Sequence, residues 1–211
     1  MKGYIVFSDL HCQLKTLATC FQVLRKIHQM AKDRDLTIVF LGDFWNSVYS
    51  KSSIGVELLN KVVAYFAKEW TVQSYFLVGN HDMPLLTEPD NGMAVFAHVC
   101  PHITVVDHPR VLEGALFIPY LHGQKKIQEV VAAHASDVRI ILAHMEVKGA
   151  MLNNHVVSEH GLAVSSFPVP VLTGHFHKPH SVGPVTYIGS PYQTSLGECE
   201  QKKRFMIYDP L

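Results

Sequence analysis

Cysteine is scarce in this chain of 211 residues: Cys12, Cys20, Cys100 and Cys199 are the only four, and none stands at a paired spacing. That excludes a disulfide framework and a thiolate zinc ribbon. Net charge is lacking as well. Lysine plus arginine and aspartate plus glutamate both count 18, giving a formal charge of zero. A protein that coats nucleic acid by bulk electrostatics is thereby disfavoured, and only local basic patches remain. No apolar run approaches the roughly 18 residues of a membrane helix. The opening "MKGYIVFSD" has too short an apolar part for a signal peptide, and no small-residue cleavage site. There is no Ser/Gly/Pro-rich linker, charge block or internal repeat to divide the chain. With 48% hydrophobic residues, the expectation is one domain over residues 1–211, without a capping domain, in a reducing cytoplasmic setting.

Histidine is what the chain has in excess. There are 14, and "LTGHFHKPH" (Leu172 to His180) holds three within nine residues, directly after the apolar run Val169–Leu172. Their meaning depends on the elements around them.

Gly3–Ser8, Leu36–Leu41 and Gln73–Val78 are strand-like apolar runs. Between them, Leu14–Ala31 has helical spacing in Leu17, Phe21, Leu24 and Ile27, and Ile54–Trp70 has it in Leu58, Leu59, Val62, Val63 and Phe66. This alternation predicts a parallel sheet covered by helices. After Pro101, the short runs "ITVVD", "RVLEG" and "ALFIPYL" predict an antiparallel or mixed second sheet. A helix over Lys125–Ala135 and a strand over Val138–Ala143 follow, then short strands around Val169–Thr173, Val185–Ile188 and Phe205–Tyr208. The fold class is α/β, two sheets with outer helices.

Five strand ends deliver Asp, Asn or His. The first is followed by Asp9 and His11, the second by Asp43 and Asn46, the third by Asn80, His81 and Asp82. His144 follows "RIILA", and His175 and His177 follow "PVLTG". Ligands gather at the carboxyl ends of strands in open α/β sheets, so these segments are expected to converge. In extended chain, residues i and i+2 point the same way, which would let Asp9 and His11 grip one ion together, and His175 and His177 likewise, with Phe176 turned into the core. Gly42, Gly79 and Gly174 precede the ligands, where a sharp turn brings backbone close to an ion. Seven oxygen and nitrogen ligands exceed one ion, and two ions sharing Asp43 would use them all. Carboxylate and imidazole without thiolate suit Mn, Fe or Zn rather than Ca, with Mn first and Mg also open.

The series "DLH", "GDFWN", "GNHD", "AHME" and "GHFH", over residues 9 to 177, resembles that of the calcineurin-like metallophosphoesterases. The resemblance implies a four-layer α/β sandwich of two mixed sheets. It implies one metal held by Asp9, His11, Asp43 and His177, and another by Asp43, Asn80, His144 and His175. It also implies that His81 is a catalytic residue outside the ligand set, with Asp82 fixing its tautomer.

Within that superfamily, "YIGSPYQTSLGE" (Tyr187–Glu198) looks like the segment after the last motif in SbcD-type nucleases. "KGAMLNNHVVSEHGL" (Lys148–Leu162) resembles a loop of the phage recombination endonucleases. The implied activity is a two-metal phosphodiesterase acting on DNA, with a nucleic acid as substrate and an SbcC-like ATPase as partner, although a docking region for one is not evident. A phosphomonoesterase or cyclic-nucleotide diesterase and a metal-bound scaffold are the alternatives. DNA binding would fall to Lys125, Lys126, Lys178, Lys202, Lys203 and Arg204. Cys12 adjoins a ligand but suits core packing, Phe44 and Trp45 suit flanking a substrate and anchoring the core equally, and His155, His160 and His180 suit the surface.

Overall fold

The computed structural model describes residues 2–46, 54–85, 90–152 and 156–210. Three runs buried at every position form the middle of the first sheet: β1 (Tyr4–Phe7), β2 (Thr37–Phe40) and β3 (Ser74–Leu77). Strands this uniformly buried need cover on both faces, the condition of a parallel sheet inside a sandwich. β4 (Ile103–Val106) extends the sheet in parallel beyond β3, and β11 (Met206–Tyr208) borders β1 antiparallel at the other edge. The second sheet runs in the order β5 (Arg110–Leu112), β6 (Ala115–Ile118), β7 (Ile140–His144), β8 (Val171–Gly174), β10 (Val185–Tyr187) and β9 (His180–Val182). Its four central strands are parallel, and β5 and β9 are antiparallel edges.

Alternate residues of each strand go to opposite faces, and this sorts the core into three layers. Ile5, Phe7, Ile38, Phe40 and Phe76 face α1 (Leu17–Asp33), α2 (Val56–Glu69) and α3 (Ala94–Val99). Tyr4, Val6, Val39 and Leu77 face Phe117, Leu142 and Leu172 of the other sheet. Leu116, Ile141 and Val171 face α4 (Gln124–His134) through Ile127 and Val131. The fold is thus a four-layer α/β sandwich of two mixed sheets flanked by helices. Each buried aliphatic or aromatic side chain contributes about 1.5–3 kcal/mol of apolar transfer. On α1, Leu17, Cys20, Leu24, Ile27 and Ala31 are buried, at spacings of three and four.

Three details differ from the sequence expectation. β4 belongs to the first sheet, so the second begins only at β5; a four-residue apolar run carries no mark of which edge it will join. α3 has no counterpart in the sequence reading, because a six-residue helix shows too little periodicity. Residues Leu14–Thr16 form a 3-10 turn ahead of α1 rather than its first turn. Among the described residues, no helix is long and apolar enough to cross a membrane.

Candidate metal centre

The parallel strands of both sheets end beside one another, and the polar residues that follow them form two adjoining groups. Asp9, His11 and His177 present ligand atoms within 4.8 Å of one another, and Asp43, His144 and His175 do the same. Asn80 joins the second group, its Oδ1 lying 3.0 Å from His144 Nε2 and 2.9 Å from His175 Nδ1. Asp43 lies between the groups: its Oδ2 is 3.3 Å from His144 Nε2 and 3.8 Å from His11 Nε2. Its other oxygen, Oδ1, accepts the His81 backbone N–H at 2.8 Å.

The donor set fits divalent cations. Asp9 and Asp43 are fully buried, and among the described residues neither is ion-paired to lysine or arginine. A buried carboxylate without a counter-charge is costly, and a cation between the two groups would compensate both. Burial pushes His11 and His175 down to about 3, which leaves both imidazoles neutral, the form that ligates. Burial also pushes the Asp9 carboxyl up. It acts on Asp43 in the same direction, but His144 and His11 outweigh it and hold that carboxyl below the usual range. His144 shows the converse: burial opposes its charge, yet Asp43 brings it up to about 9. A proton there occupies the place a cation would take.

Hydrogen bonds on the far side of two rings fix which nitrogen faces inward. His144 Nδ1 donates to the Leu41 carbonyl at 2.6 Å, turning Nε2 toward Asp43. His177 Nδ1 donates to Glu198 Oε1 at 2.9 Å, turning Nε2 toward His11 Nε2, also 2.9 Å away.

The backbone that delivers these groups is not extended. Asp9, His11, Asp43 and His175 have φ of 55°, 44°, 61° and 92°, four of the six non-glycine residues with positive φ among those described. Aspartate and histidine tolerate the left-handed region better than bulkier residues, and surrounding structure must over-determine it. Here that structure includes Asp9 N donating to Gly42 O and His11 N to Asp43 O, both at 3.0 Å. The same geometry separates His175 from His177. They enter different groups, as the family resemblance implies and as the i, i+2 reading does not. Phe176 between them is buried against Tyr187. Gly42 adopts φ +100°, and a Cβ on Gly79 would collide with the Asp43 carboxylate and backbone. The glycines therefore let the ligand loops pack on each other, which is a different reason from approach to an ion.

Asp82 requires a correction. Its carboxylate accepts the backbone N–H groups of Asp43 (2.9 Å), Trp45 (3.0 Å) and Gly79 (2.9 Å), rather than holding the His81 ring. His81 Nδ1 donates instead to the Asn46 carbonyl at 2.7 Å. Asp82 thus ties the second ligand loop to the third, and burial with the nearby Asp43 charge pushes it up to about 7. Asp82→Ala is expected to lower unfolding free energy by roughly 3 kcal/mol or more, since each orphaned buried donor costs about 1–3 kcal/mol. Asp82→Asn, which keeps one acceptor oxygen, should lose less. Urea titration of the two variants checks the order.

Sequence reasoning assigns no role to Glu198, although the segment it closes stands out. Its side chain is buried and accepts Thr194 N (3.0 Å), Thr194 Oγ1 (2.6 Å) and Lys203 Nζ (2.6 Å) besides His177. Burial works to raise its carboxyl, but His177, Lys203 and Thr194 hold it below the usual range. The other residues weighed from sequence lie elsewhere. Cys12, Phe44 and Trp45 are core, Trp45 stacking on Phe96 and Phe44 meeting the same ring edge-on. His180 is not a free surface group: it stacks on Tyr187 and accepts the Met151 N–H. His160 is exposed, Lys125 and Lys126 are exposed on α4, and His155 lies outside the described residues.

Two carboxylate and imidazole groups meeting at one aspartate, at the strand ends of an α/β sandwich, define a candidate binuclear hydrolase. The chain belongs to the calcineurin-like phosphoesterase family, whose model it matches over residues 4–179; enzymes of this kind use divalent metals. Among curated proteins it is similar to exonuclease subunit 1 of Enterobacteria phage T4, with 26% identity over 141 residues. That match takes in 63% of this chain but only 41% of the phage protein's length. Among solved structures it is similar to an archaeal phosphodiesterase, with 11% identity, 97% and 99% of the two chains covered and a TM-score of 0.48. The Pseudomonas putida nuclease MPE shares 19% identity over 85% of this chain and 64% of its own, with a TM-score of 0.43. At these scores the structural likeness does not extend to substrate.

Proposed function

We propose that the chain is a two-metal phosphodiesterase that cleaves nucleic acid, most readily with Mn. The observation that carries the two-metal reading is the position of Asp43 Oδ2, within reach of a nitrogen from each donor group. In this reading Asp9, His11, Asp43 and His177 hold one ion, and Asp43, Asn80, His144 and His175 the other. Two cations so placed would supply a nucleophile by acidifying water and would neutralise phosphoryl oxygens. The chain's own residues do the rest. Asp43 N–H and the Asp82 carboxylate hold the second ligand loop in place. His81, its Nδ1 fixed on Asn46, keeps Nε2 available to give a proton to the leaving oxygen. Support for nucleic acid as substrate is the similarity to a phage exonuclease subunit, and a partner subunit is part of the same proposal. The deciding experiment compares labelled single- and double-stranded DNA with cyclic nucleotides and monoesters, Mn present or chelated. Turnover of DNA above the others is expected, and preference for a monoester would overturn the reading.

Glu198 is expected to act on one ion only. Outer partners of ligating histidines are worth about 10–100-fold in metal affinity. Glu198→Gln should therefore weaken the ion at Asp9, His11 and His177 by that factor and leave the other unchanged. Competitive metal titration separates the two sites. Equal weakening of both would show that the substitution acts through general loosening of the fold.

A further inference from the structure

A groove of about 720 Å³ has a lining that carries Lys178, Lys202, Lys203 and Arg204 against one acid, Glu200. In a chain of zero formal charge this is a local concentration of positive charge. Its wall is tied to His177 of the candidate metal centre. Lys178 follows His177 in sequence, and Lys203 Nζ donates to the His177 carbonyl at 3.2 Å.

The four cations are not equivalent. Lys203 is neutralised by Glu198 at 2.6 Å and also donates to Ser190 Oγ at 2.8 Å, so it anchors the wall and is not available to a ligand. Arg204 donates Nε to the Ile188 carbonyl at 3.3 Å and Nη2 to the Tyr187 carbonyl at 3.0 Å. Those acceptors are neutral and occupy two of a guanidinium's five N–H donors. Arg204 is therefore oriented by the end of β10 with its charge uncompensated. Lys202 is exposed, and Lys178 reaches the Met151 sulfur at 3.7 Å. Among the described residues, none of Lys178, Lys202 and Arg204 is ion-paired to a carboxylate.

We propose that this groove holds backbone phosphates of the nucleic-acid strand adjoining the scissile phosphate, an inference that rests on the phosphodiesterase reading above. The volume exceeds what a lone phosphate needs, and a wall residue, Lys203, is bonded to the carbonyl of His177. Uncompensated cations without an aromatic side chain in the lining suit phosphates rather than bases, so the contact positions the strand without reading its sequence. The Glu198–Lys203 pair joins the groove wall to His177, which fixes the spacing between a bound phosphate and the centre.

The test uses the full chain and the double variant Lys178→Ala, Lys202→Ala. Fluorescence anisotropy of a labelled oligothymidylate, with cleavage arrested by chelator, gives affinity against salt between about 50 and 200 mM. Removing two cations that each neutralise a phosphate of a single strand should reduce the slope of log K on log salt by about 1.4. Lys61→Ala, Lys68→Ala on α2, which take no part in the groove lining, should leave the slope as it is. With Mn, the ratio of oligonucleotide cleavage to bis(4-nitrophenyl) phosphate hydrolysis should also fall in the groove variant. If the slope and ratio stay unchanged while oligonucleotide is still cut, the groove proposal is overturned and the nuclease reading stands. If the unaltered chain hydrolyses the small diester but neither binds nor cuts oligonucleotide, the nucleic-acid reading fails and the groove proposal fails with it.

Discussion

Asp43→Ala is expected to release both ions and to reduce turnover by about 10⁴-fold or more, beyond the usual reach of a single acid–base group. Its Oδ2 lies 3.3 Å from His144 Nε2 and 3.8 Å from His11 Nε2, so one oxygen faces both donor groups. The carboxyl stays ionised although fully buried, because His144 and His11 outweigh the burial that would raise it. His11→Ala and His144→Ala each remove a donor from one group only. Elemental analysis should find close to no metal in Asp43→Ala and about one ion in each histidine variant. A thermal melt beside it separates metal loss from unfolding. Equal losses across the three variants would show that the groups share no ligand.

His81→Ala should keep both ions and the fold yet lose about 10²–10⁴ in rate. The ring is half-buried, edge-on to His11 at 4.7 Å between centroids, with Nδ1 committed to the Asn46 carbonyl. Only Nε2 remains to serve a substrate. A proton donor matters most when the departing oxygen is a poor leaving group. The loss should therefore be large for a sugar alkoxide and small for 4-nitrophenolate, which departs unaided. An equal loss on both esters would remove the acid role while leaving a role in binding open to separate measurement by KM.

The corrected place of Asp82 bears on how such variants are read. Substitutions there disturb the Asp43 and Trp45 backbone directly, so a fall in activity would report displaced ligand loops rather than a changed His81 proton. Asn46 acts through its main-chain carbonyl, which any residue supplies, and its side-chain type carries no information about that bond.

The candidate ligand types, their order and the strand ends that carry them were legible in the sequence, because each is a local pattern. An apolar run followed by Asp-x-His or Gly-Asn-His-Asp needs no partner to be recognised. The same holds for α1 and α2, whose spacing alone marks a buried face. What only the tertiary structure decided are relations between distant segments: β4 choosing the first sheet, Asp82 bonding across 37 to 39 residues, and Glu198 reaching His177 across 21. The division of His175 from His177 was likewise decided by folding. A left-handed φ at His175 turns neighbours in sequence toward different groups, and that φ is held by contacts such as His175 N to Asp9, 166 residues away. Local periodicity carries no signal for a dihedral angle set by long-range hydrogen bonds, so the i, i+2 pattern alone pairs His175 with His177, whereas the family resemblance and the packing place them in different groups.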